Sequence, residues 1–359
     1  MKNRVLNIGP SVDKSFGGMV TVINQIKNSC YINEKNDIFL YPTYIDGCNI
    51  KRALYSIKQC FKFWLKKLGK KYDVYHLHTA SFMSTYRKRF LACLIKKYKK
   101  NYVVHIHGAE YIEFYQNESA KKKCKIKKFL EDASYVIVLS EFWKRAFENV
   151  VGIKNCIVVN NCIDFEHYNS ISKQYNKDFI NFLYLGRVGH RKGMWDVIEA
   201  TKILKDKNYT FKVLVAGDGE IDKFNELVEH NGLHDYFVYN GWADNKLKDH
   251  LLSVSDVLLL PSYNEGLPMS ILESMASGLV ILSSNVGSIP EVVIENENGY
   301  IIEPGHIDQL VEKMISCFDY KKNRIISYNN KEKIKNIYDI CIFEKKIETI
   351  YNELSKKNK

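Results

Sequence analysis

Two carboxylates, Glu265 and Glu273, stand eight residues apart in the segment PSYNEGLPMSILESMASG, 261 to 278. Glu265 falls in a loop rich in Gly and Pro, and Glu273 falls one to two turns into a helix expected over Met269 to Ser277. Carboxylates accept hydrogen bonds from vicinal hydroxyls, so such a pair can hold a sugar at one end and a ribose at the other. The backbone amides of Leu267 and Met269 would be free at the helix start to meet an anion. Taken one at a time the residues have plainer explanations: Glu265 as a charge at a helix N-terminus, Glu273 as an exposed helix glutamate.

Cations precede this segment. LGRVGHRKG, 185 to 193, reads as a strand, then Arg187, Arg191 and Lys192 around two glycines, then a helix. Cations at the carboxyl end of a strand suit a diphosphate, because Arg offers paired hydrogen bonds and Lys a point charge. A solvated basic turn is the alternative. Earlier, Gly9 closes the first strand, and Gly17-Gly18 stands just before a helical pattern. Glycines there let an anion approach the amides of a helix N-terminus, although a simple turn accounts for the pair in isolation. His107 ends an apolar strand in HIHGAEY, where a strand's carboxyl end faces a ligand, whereas His76 and His105 read as hydrogen-bonded core residues.

Strands and helices must carry these groups. RVLNIG, DVYHLH, YVVHIHG, YVIVLS and CIVVNN read as buried strands alternating with amphipathic helices. NFLYLGR, FKVLVAGDG, YFVYNGW, DVLLLPS, LVILSS and GYIIEP repeat the pattern. Strand-helix alternation is the signature of a parallel sheet covered on both faces. The polar stretch 164 to 178 is the natural linker, so two Rossmann-like domains with a ligand-binding cleft are expected. Their spans are 1 to 165 and 166 to 339, with the basic amphipathic helix 340 to 359 packing back on the first.

Composition sets the outer limits. A chain of 359 residues, 46% hydrophobic and 26% charged, is globular and long enough for two cores. Nine cysteines are scattered singly with no C-x-x-C pair, which argues against disulfides or a zinc module and for a reducing compartment. The first apolar run breaks at Gly9-Pro10, too short for a signal peptide, and no stretch could span a membrane. A cytoplasmic protein is expected.

The net charge of +12 is uneven. Residues 51 to 128 hold 21 basic and 4 acidic side chains, and the remainder is net acidic. In KRALYSIKQCFKFWLKKLGKK, 51 to 71, Leu54, Ile57, Phe61, Trp64 and Leu68 recur at helical spacing among Lys58, Lys62, Lys66 and Lys67. Such a basic amphipathic helix suits an anionic leaflet, or else it packs its apolar stripe into the core and solvates its lysines. RKRFLACLIKKYKK and KKKCKIKK are two further basic runs. No zinc finger, basic zipper or ribonucleoprotein-type motif accompanies the charge, so nucleic acid is not expected as a partner.

Together these residues resemble the retaining glycosyltransferases of family 4, α/β proteins of the GT-B fold in which two Rossmann-like domains face each other across a deep cleft. The resemblance covers essentially the whole chain. It rests on the E-x7-E pair Glu265 to Glu273, the SSNVGSIPEVV turn and ENENGYIIEPG tail, with Gly17-Gly18, His107-Gly108, GRVGHRKG and AGDGE in support. It implies that Arg187 and Lys192 bind the donor diphosphate beside Gly186, and that Glu273 binds the ribose. It further implies that Glu265 with Gly266, Leu267, Pro268 and Met269 holds the donor sugar. Gly17 and Gly18 would lie near the diphosphate and His107 would contact the transferred sugar, so the implied catalytic set is His107, Arg187, Lys192 and Glu265.

No metal or other cofactor is expected, since neither a D-x-D nor a His-rich cluster is evident. The implied reaction moves a hexose or N-acetylhexosamine with retention from a nucleotide sugar, UDP-linked by preference. The expected acceptor is a saccharide, lipid-linked, at the inner face of a bacterial plasma membrane, in capsule, O-antigen or exopolysaccharide assembly. An anionic membrane surface is the expected partner. Two other functions fit the same residues: a GT-B-type nucleotide-sugar epimerase, and a non-catalytic sugar-nucleotide-binding protein. One departure stands out, because the family's N-G-V-D at the interdomain link is here Asn161-Cys162-Ile163-Asp164, which puts the local turn in doubt.

Overall fold

The computed structural model describes residues 2–174 and 179–356. The chain forms two compact units, one of residues 1–162 with 340–359 and the other of residues 163–339. The boundary lies three residues before the position expected from sequence. Ile163 pairs with Asp339 in an isolated bridge, and the Asp164 side chain caps the helix Phe165–Asn169, so these residues belong to the second unit. The tail of the expected linker, 175 to 178, and residues 357 to 359 of the expected last helix lie outside the described residues.

The first unit holds a six-stranded sheet of β1 (Asn3–Pro10), β2 (Asn36–Tyr44), β3 (Val74–Thr79), β4 (Tyr102–Ile106), β5 (Tyr135–Val138) and β6 (Cys156–Val158). The order is β2-β1-β3-β4-β5-β6 with every pairing parallel. β2 is the strand that sequence did not announce. It lies at the sheet edge, contains Pro42, and is only intermittently buried, so its apolar pattern is weak. The helix Ile340–Lys356 buries Phe343, Ile347, Ile350, Tyr351 and Leu354 in one cluster with Val5, Val74, Val103 and Ile137 of the sheet. Each such side chain contributes roughly 1.5–3 kcal/mol by leaving water.

The second unit repeats the scheme with β7 (Ile180–Leu185), β8 (Phe211–Ala216), β9 (Phe237–Tyr239), β10 (Val257–Leu260), β11 (Val280–Ser284) and β12 (Gly299–Ile302). Their order is β12-β11-β10-β7-β8-β9, again parallel throughout. β10 and β7 lie side by side in the middle of the sheet, so the loops after them, which carry Glu265 and Arg187 to Lys192, emerge next to each other.

The three basic runs differ. The helix Ala120–Glu131 packs Ile126, Phe129 and Leu130 into the core, and Met83–Lys96 packs Leu91, Ala92 and Ile95, as ordinary surface helices do. The helix Asn49–Leu65 does not. Its one buried residue is Phe63, which meets Tyr41 edge-on at 5.4 Å. Ile50, Leu54, Ile57, Phe61, Trp64 and Leu65 are 52% to 73% exposed. Lys51, Lys58 and Lys62 are exposed on the same helix. Its apolar stripe therefore faces outward, against the core-packed alternative; only Leu68, in the turn that follows, is buried.

Candidate active site

The short turn His190–Lys192 follows β7, and Gly193 joins it to the helix Met194–Asp206. Gly193 has φ +74°, and a Cβ there would lie 2.0 Å from the Pro261 carbonyl oxygen, so only glycine lets the turn press against the loop after β10. The contact is reinforced by the Tyr263 amide donating to the Arg191 carbonyl at 2.9 Å and an Arg191 guanidinium N–H donating to the Asn264 carbonyl at 3.2 Å. Lys192 is thereby brought to Glu265. Its ammonium donates to Glu265 Oε1, which also accepts from the Ser262 hydroxyl at 2.8 Å. Glu265 is 5% exposed, too buried for a solvated helix-terminal charge.

The backbone of Glu265 is held from the other side by the turn after β11. A Cβ on Gly287 would lie 1.9 Å from the Glu265 carbonyl oxygen, and the Ser288 amide donates to the Gly266 carbonyl at 3.1 Å. This gives the SSNVGSIP segment its physical purpose. Pro268 then precedes the helix Met269–Ala276, whose first-turn amides have no acceptor within the helix. Leu267 is buried at 4% exposure and takes part in further contacts of the fold.

Glu273 is 7% exposed, which corrects the view of it as a solvated helix residue. Its Oε1 accepts from the Lys248 ammonium at 2.6 Å and the Tyr168 hydroxyl at 2.9 Å. The Lys248 ammonium also sits 5.4 Å from the centre of the Tyr168 ring. Burial first, and then the Glu273 charge, push the Tyr168 hydroxyl well above its ordinary range, so it remains a donor. Asp164 caps the helix that carries Tyr168, accepting from the His167 amide at 3.2 Å. Cys162, in place of glycine, keeps a negative φ, and its carbonyl accepts from Gln25 at 2.9 Å.

Arg187 is 67% exposed, its guanidinium 3.9 Å from the Asp218 carboxylate. A pair this open contributes little by itself and leaves the guanidinium able to meet an anion. Gly186 lies beside the aliphatic stem of Lys192 and donates its amide to the Ala216 carbonyl at 3.0 Å.

The remaining candidates belong to the first unit. Gly17, φ +109°, precedes the helix Gly18–Asn28, and nothing lies within 4 Å of where a Cβ would stand. His107 follows β4, and its Nε2 lies 3.0 Å from His78 Nδ1. Here sequence reading missed a cluster. The H-x-H pairs of β3 and β4 alternate in register, so His76, His78, His105 and His107 stack face to face, with His76–His78 and His105–His107 centroids 4.1 Å apart. His76 Nδ1 meets the Tyr351 hydroxyl at 2.7 Å, His76 Nε2 meets His105 Nδ1 at 3.3 Å, and His78 Nε2 meets Asn7 Oδ1 at 2.9 Å.

Ligand atoms of His76, His78 and His105 lie within 4.8 Å of one another, contrary to the expectation that no His cluster exists. Five of those six nitrogens are engaged in hydrogen bonds, which makes the cluster a bonded core. Burial pushes all four imidazoles well below their ordinary pKa, so they are neutral at pH 7. The period-2 histidines were the signal that could have revealed the stack. For Lys248, Tyr168 and Ser262 the sequence held none.

Residues 168–333 match the family described as glycosyl transferases group 1, and residues 31–167 match glycosyltransferase family 4. The chain is 26% identical over 318 residues to a 41.2 kDa uncharacterized protein in the cps region of Klebsiella pneumoniae, covering 84% of this chain and 87% of that protein. It is also 26% identical over 348 residues to a UDP-Gal:alpha-D-GlcNAc-diphosphoundecaprenol alpha-1,3-galactosyltransferase of Escherichia coli, covering 90% and 86%. Among solved structures, sucrose-phosphate synthase from Thermosynechococcus elongatus superposes with a TM-score of 0.80 at 17% identity, covering 98% of this chain and 99% of that one. Anabaena HepE in complex with UDP superposes at 0.77 and 17% identity, covering 98% and 100%. With two parallel six-stranded units of Rossmann-like build, and both halves matched in order, the chain belongs to the group 1, family 4-type glycosyltransferases with the GT-B fold.

Proposed function

We propose that this chain transfers a hexose or N-acetylhexosamine, with retention, from a UDP-sugar to a lipid-linked saccharide in the assembly of a bacterial surface polysaccharide. The observation that carries this reading is the pairing of Lys192 with Glu265 and of Lys248 with Glu273 in the second unit. Each carboxylate spends Oε1 on its lysine and a hydroxyl, and Oε2 accepts no bond among the described residues. Two acceptor oxygens held rigidly in this way suit the hydroxyls of a sugar and a ribose.

Breaking the anomeric C–O bond puts negative charge on the leaving diphosphate and positive charge on the anomeric carbon. Lys192 and Arg187 supply fixed and mobile cations for the former, and little reorganisation is needed at Lys192, which its bond to Glu265 holds in place. Glu265 is committed to Lys192 and serves in binding, so the paired-carboxylate scheme of glycosidases is not invoked. His107, neutral, serves as a hydrogen-bonding group toward the transferred sugar. No metal takes part in this scheme, and transfer is expected to persist in EDTA.

The relatives point the same way for donor and acceptor: the Escherichia coli protein is named for UDP-Gal and a diphosphoundecaprenol acceptor, and a Staphylococcus aureus relative is a capsular polysaccharide biosynthesis glycosyltransferase. The outward apolar stripe of Asn49–Leu65, flanked by lysines, supports docking on an anionic membrane surface, where such an acceptor resides. No helix among the described residues is long and apolar enough to cross a membrane. The test is incubation with UDP-sugars, with and without membrane extract, followed by chromatography. Acceptor-dependent release of UDP with sugar in the lipid fraction supports the proposal. A free altered sugar or sugar nucleotide formed without acceptor would identify an epimerase, and no turnover with retained UDP binding a binding protein.

A further inference from the structure

The carboxyl ends of β1 and β2 carry a cationic cluster that the donor site does not use. Tyr44 ends β2, and the guanidinium carbons of Arg52 and Arg87 lie 5.8 Å and 5.6 Å from the centre of its ring. Arg52 comes from the helix Asn49–Leu65 and Arg87 from Met83–Lys96. Next to Arg87 in sequence, Lys88 is 1% exposed, and its ammonium donates to the Thr43 hydroxyl at 2.8 Å; that hydroxyl donates onward to the Gly9 carbonyl at 3.1 Å.

Their hydrogen bonding is incomplete. Arg87 Nη1 donates to the Ser56 hydroxyl at 3.2 Å, while Nε of both Arg52 and Arg87 is buried without a partner. No carboxylate lies within ion-pair distance of any of the three cations among the described residues. Asp46, an acid beside the cluster, accepts from the Phe16 amide at 3.0 Å and neighbours the Tyr44 hydroxyl. Lys88 is fully buried and Arg52 and Arg87 are half-buried, and cations withdrawn from water are ordinarily paired. Burial lowers the affinity of Arg87 and Lys88 for their protons, and the charge of Arg87 lowers that of Lys88 further. Contact with Tyr44 explains one guanidinium, but a second beside the same ring adds like charge, which the single Asp46 carboxylate at the Tyr44 hydroxyl offsets in part and a bound anion would offset further.

We infer that Arg52 and Arg87, flanking Tyr44 and backed by Lys88, form a binding site for a phosphate or diphosphate group. Guanidinium N–H pairs match phosphate oxygens in geometry and charge. Ligands of parallel α/β sheets sit at the carboxyl ends of the strands, where this cluster lies. The helix that supplies Arg52 and Ser56 also presents the exposed stripe of Leu54, Ile57, Phe61 and Trp64, so one element offers cations and lipid-facing side chains together. The diphosphate of a lipid-linked acceptor fits that juxtaposition. This assignment rests on the proposed lipid-linked acceptor and adds the group by which it would be held.

Binding of inorganic pyrophosphate and of farnesyl diphosphate is measured by calorimetry on the full chain, with UDP saturating so that the second unit's phosphate site is filled. Wild type is expected to bind both, farnesyl diphosphate at least tenfold more tightly. Arg52→Gln with Arg87→Gln is expected to weaken both at least tenfold while leaving UDP affinity unchanged. Arg52→Gln alone, on a half-exposed residue, is expected to give a several-fold loss and covers the case of a double variant that does not fold. Unchanged affinity in the variants, or no binding to wild type, overturns the site. Equal affinity for the two probes overturns the lipid source and assigns the site to free phosphate compounds. Absence of UDP binding would instead count against the donor reading, with the pyrophosphate comparison still telling on Arg52 and Arg87.

Discussion

Glu265 and Glu273 have matching surroundings: each directs Oε1 at one lysine ammonium and one hydroxyl, Lys192 with Ser262 for the first and Lys248 with Tyr168 for the second. The loops after β7 and β10 build the first pair, and the helix Asn245–Val254 supplies Lys248 to the second. Each carboxylate is therefore fixed before any ligand arrives, the preorganisation that binding and catalysis both reward.

Lys192→Met separates a fold role from a chemical one. It leaves Glu265 buried without its cation, and breaking a buried pair costs about 3–5 kcal/mol, less here to the extent that Lys192 is part exposed. Adding Glu265→Leu removes the orphaned charge and should recover most of the lost melting temperature. Turnover should stay down by about 10²-fold or more in both, the order expected for losing a fixed group at the leaving charge. Thermal melts and single-turnover rates check this; recovery of turnover with stability would make Lys192 merely structural.

Lys248→Ala should act on the nucleotide and spare the sugar. Glu273 loses a buried partner and the ordering of its Oε2, so UDP affinity should fall about tenfold, or about 1.4 kcal/mol. UDP-glucose and UDP should weaken by the same factor. A larger loss for the sugar nucleotide than for UDP would place Glu273 at the sugar.

The histidine stack should make the first unit sensitive to mild acid. Burial holds His76 down at about 3 and His105 well below its ordinary value, whereas an unfolded histidine titrates near 6.5. Between those values the unfolded chain binds protons that the folded chain refuses. Stability is therefore fully present above about pH 6.5 and is lost as pH falls, by up to roughly 1.4 kcal/mol per pH unit for each such histidine. Melting temperatures at pH 7, 6 and 5 should drop steadily, and His105→Gln should flatten the slope. A melting temperature constant over that range would contradict the buried neutral stack.

The outward stripe predicts membrane capture driven by apolar contact as well as charge. Ile57→Glu with Phe61→Glu changes only exposed side chains, so the melting temperature should stay within a few degrees while sedimentation with anionic liposomes is abolished. Charge reversal at Lys58, Lys62 and Lys66 should weaken sedimentation and leave a salt-insensitive remainder. Sedimentation of the Glu variants at wild-type levels would remove this helix from the membrane account.

Much of the fold was legible because its strands are short apolar runs that alternate with helical patterns, and eleven of the twelve strands among the described residues stood out by that rule. β2 did not, since an edge strand with a proline needs few apolar residues. In the candidate site, Lys192, Glu265 and Glu273 were visible through their glycine and proline context. Lys248 and Tyr168 were not, because each is an ordinary residue of an ordinary helix until tertiary packing brings both to one carboxylate. Periodicity located the stripe of Asn49–Leu65 and was silent on which way it faced.

Calorimetric titration of UDP into the wild-type chain, Glu273→Gln and Glu226→Gln decides whether Glu273 holds the nucleotide, Glu226 being an exposed helix glutamate of the same unit. One UDP per chain is expected, with affinity at least tenfold weaker in Glu273→Gln and wild-type affinity in Glu226→Gln. Absence of binding to wild type, or equal affinity in all three, would contradict that reading.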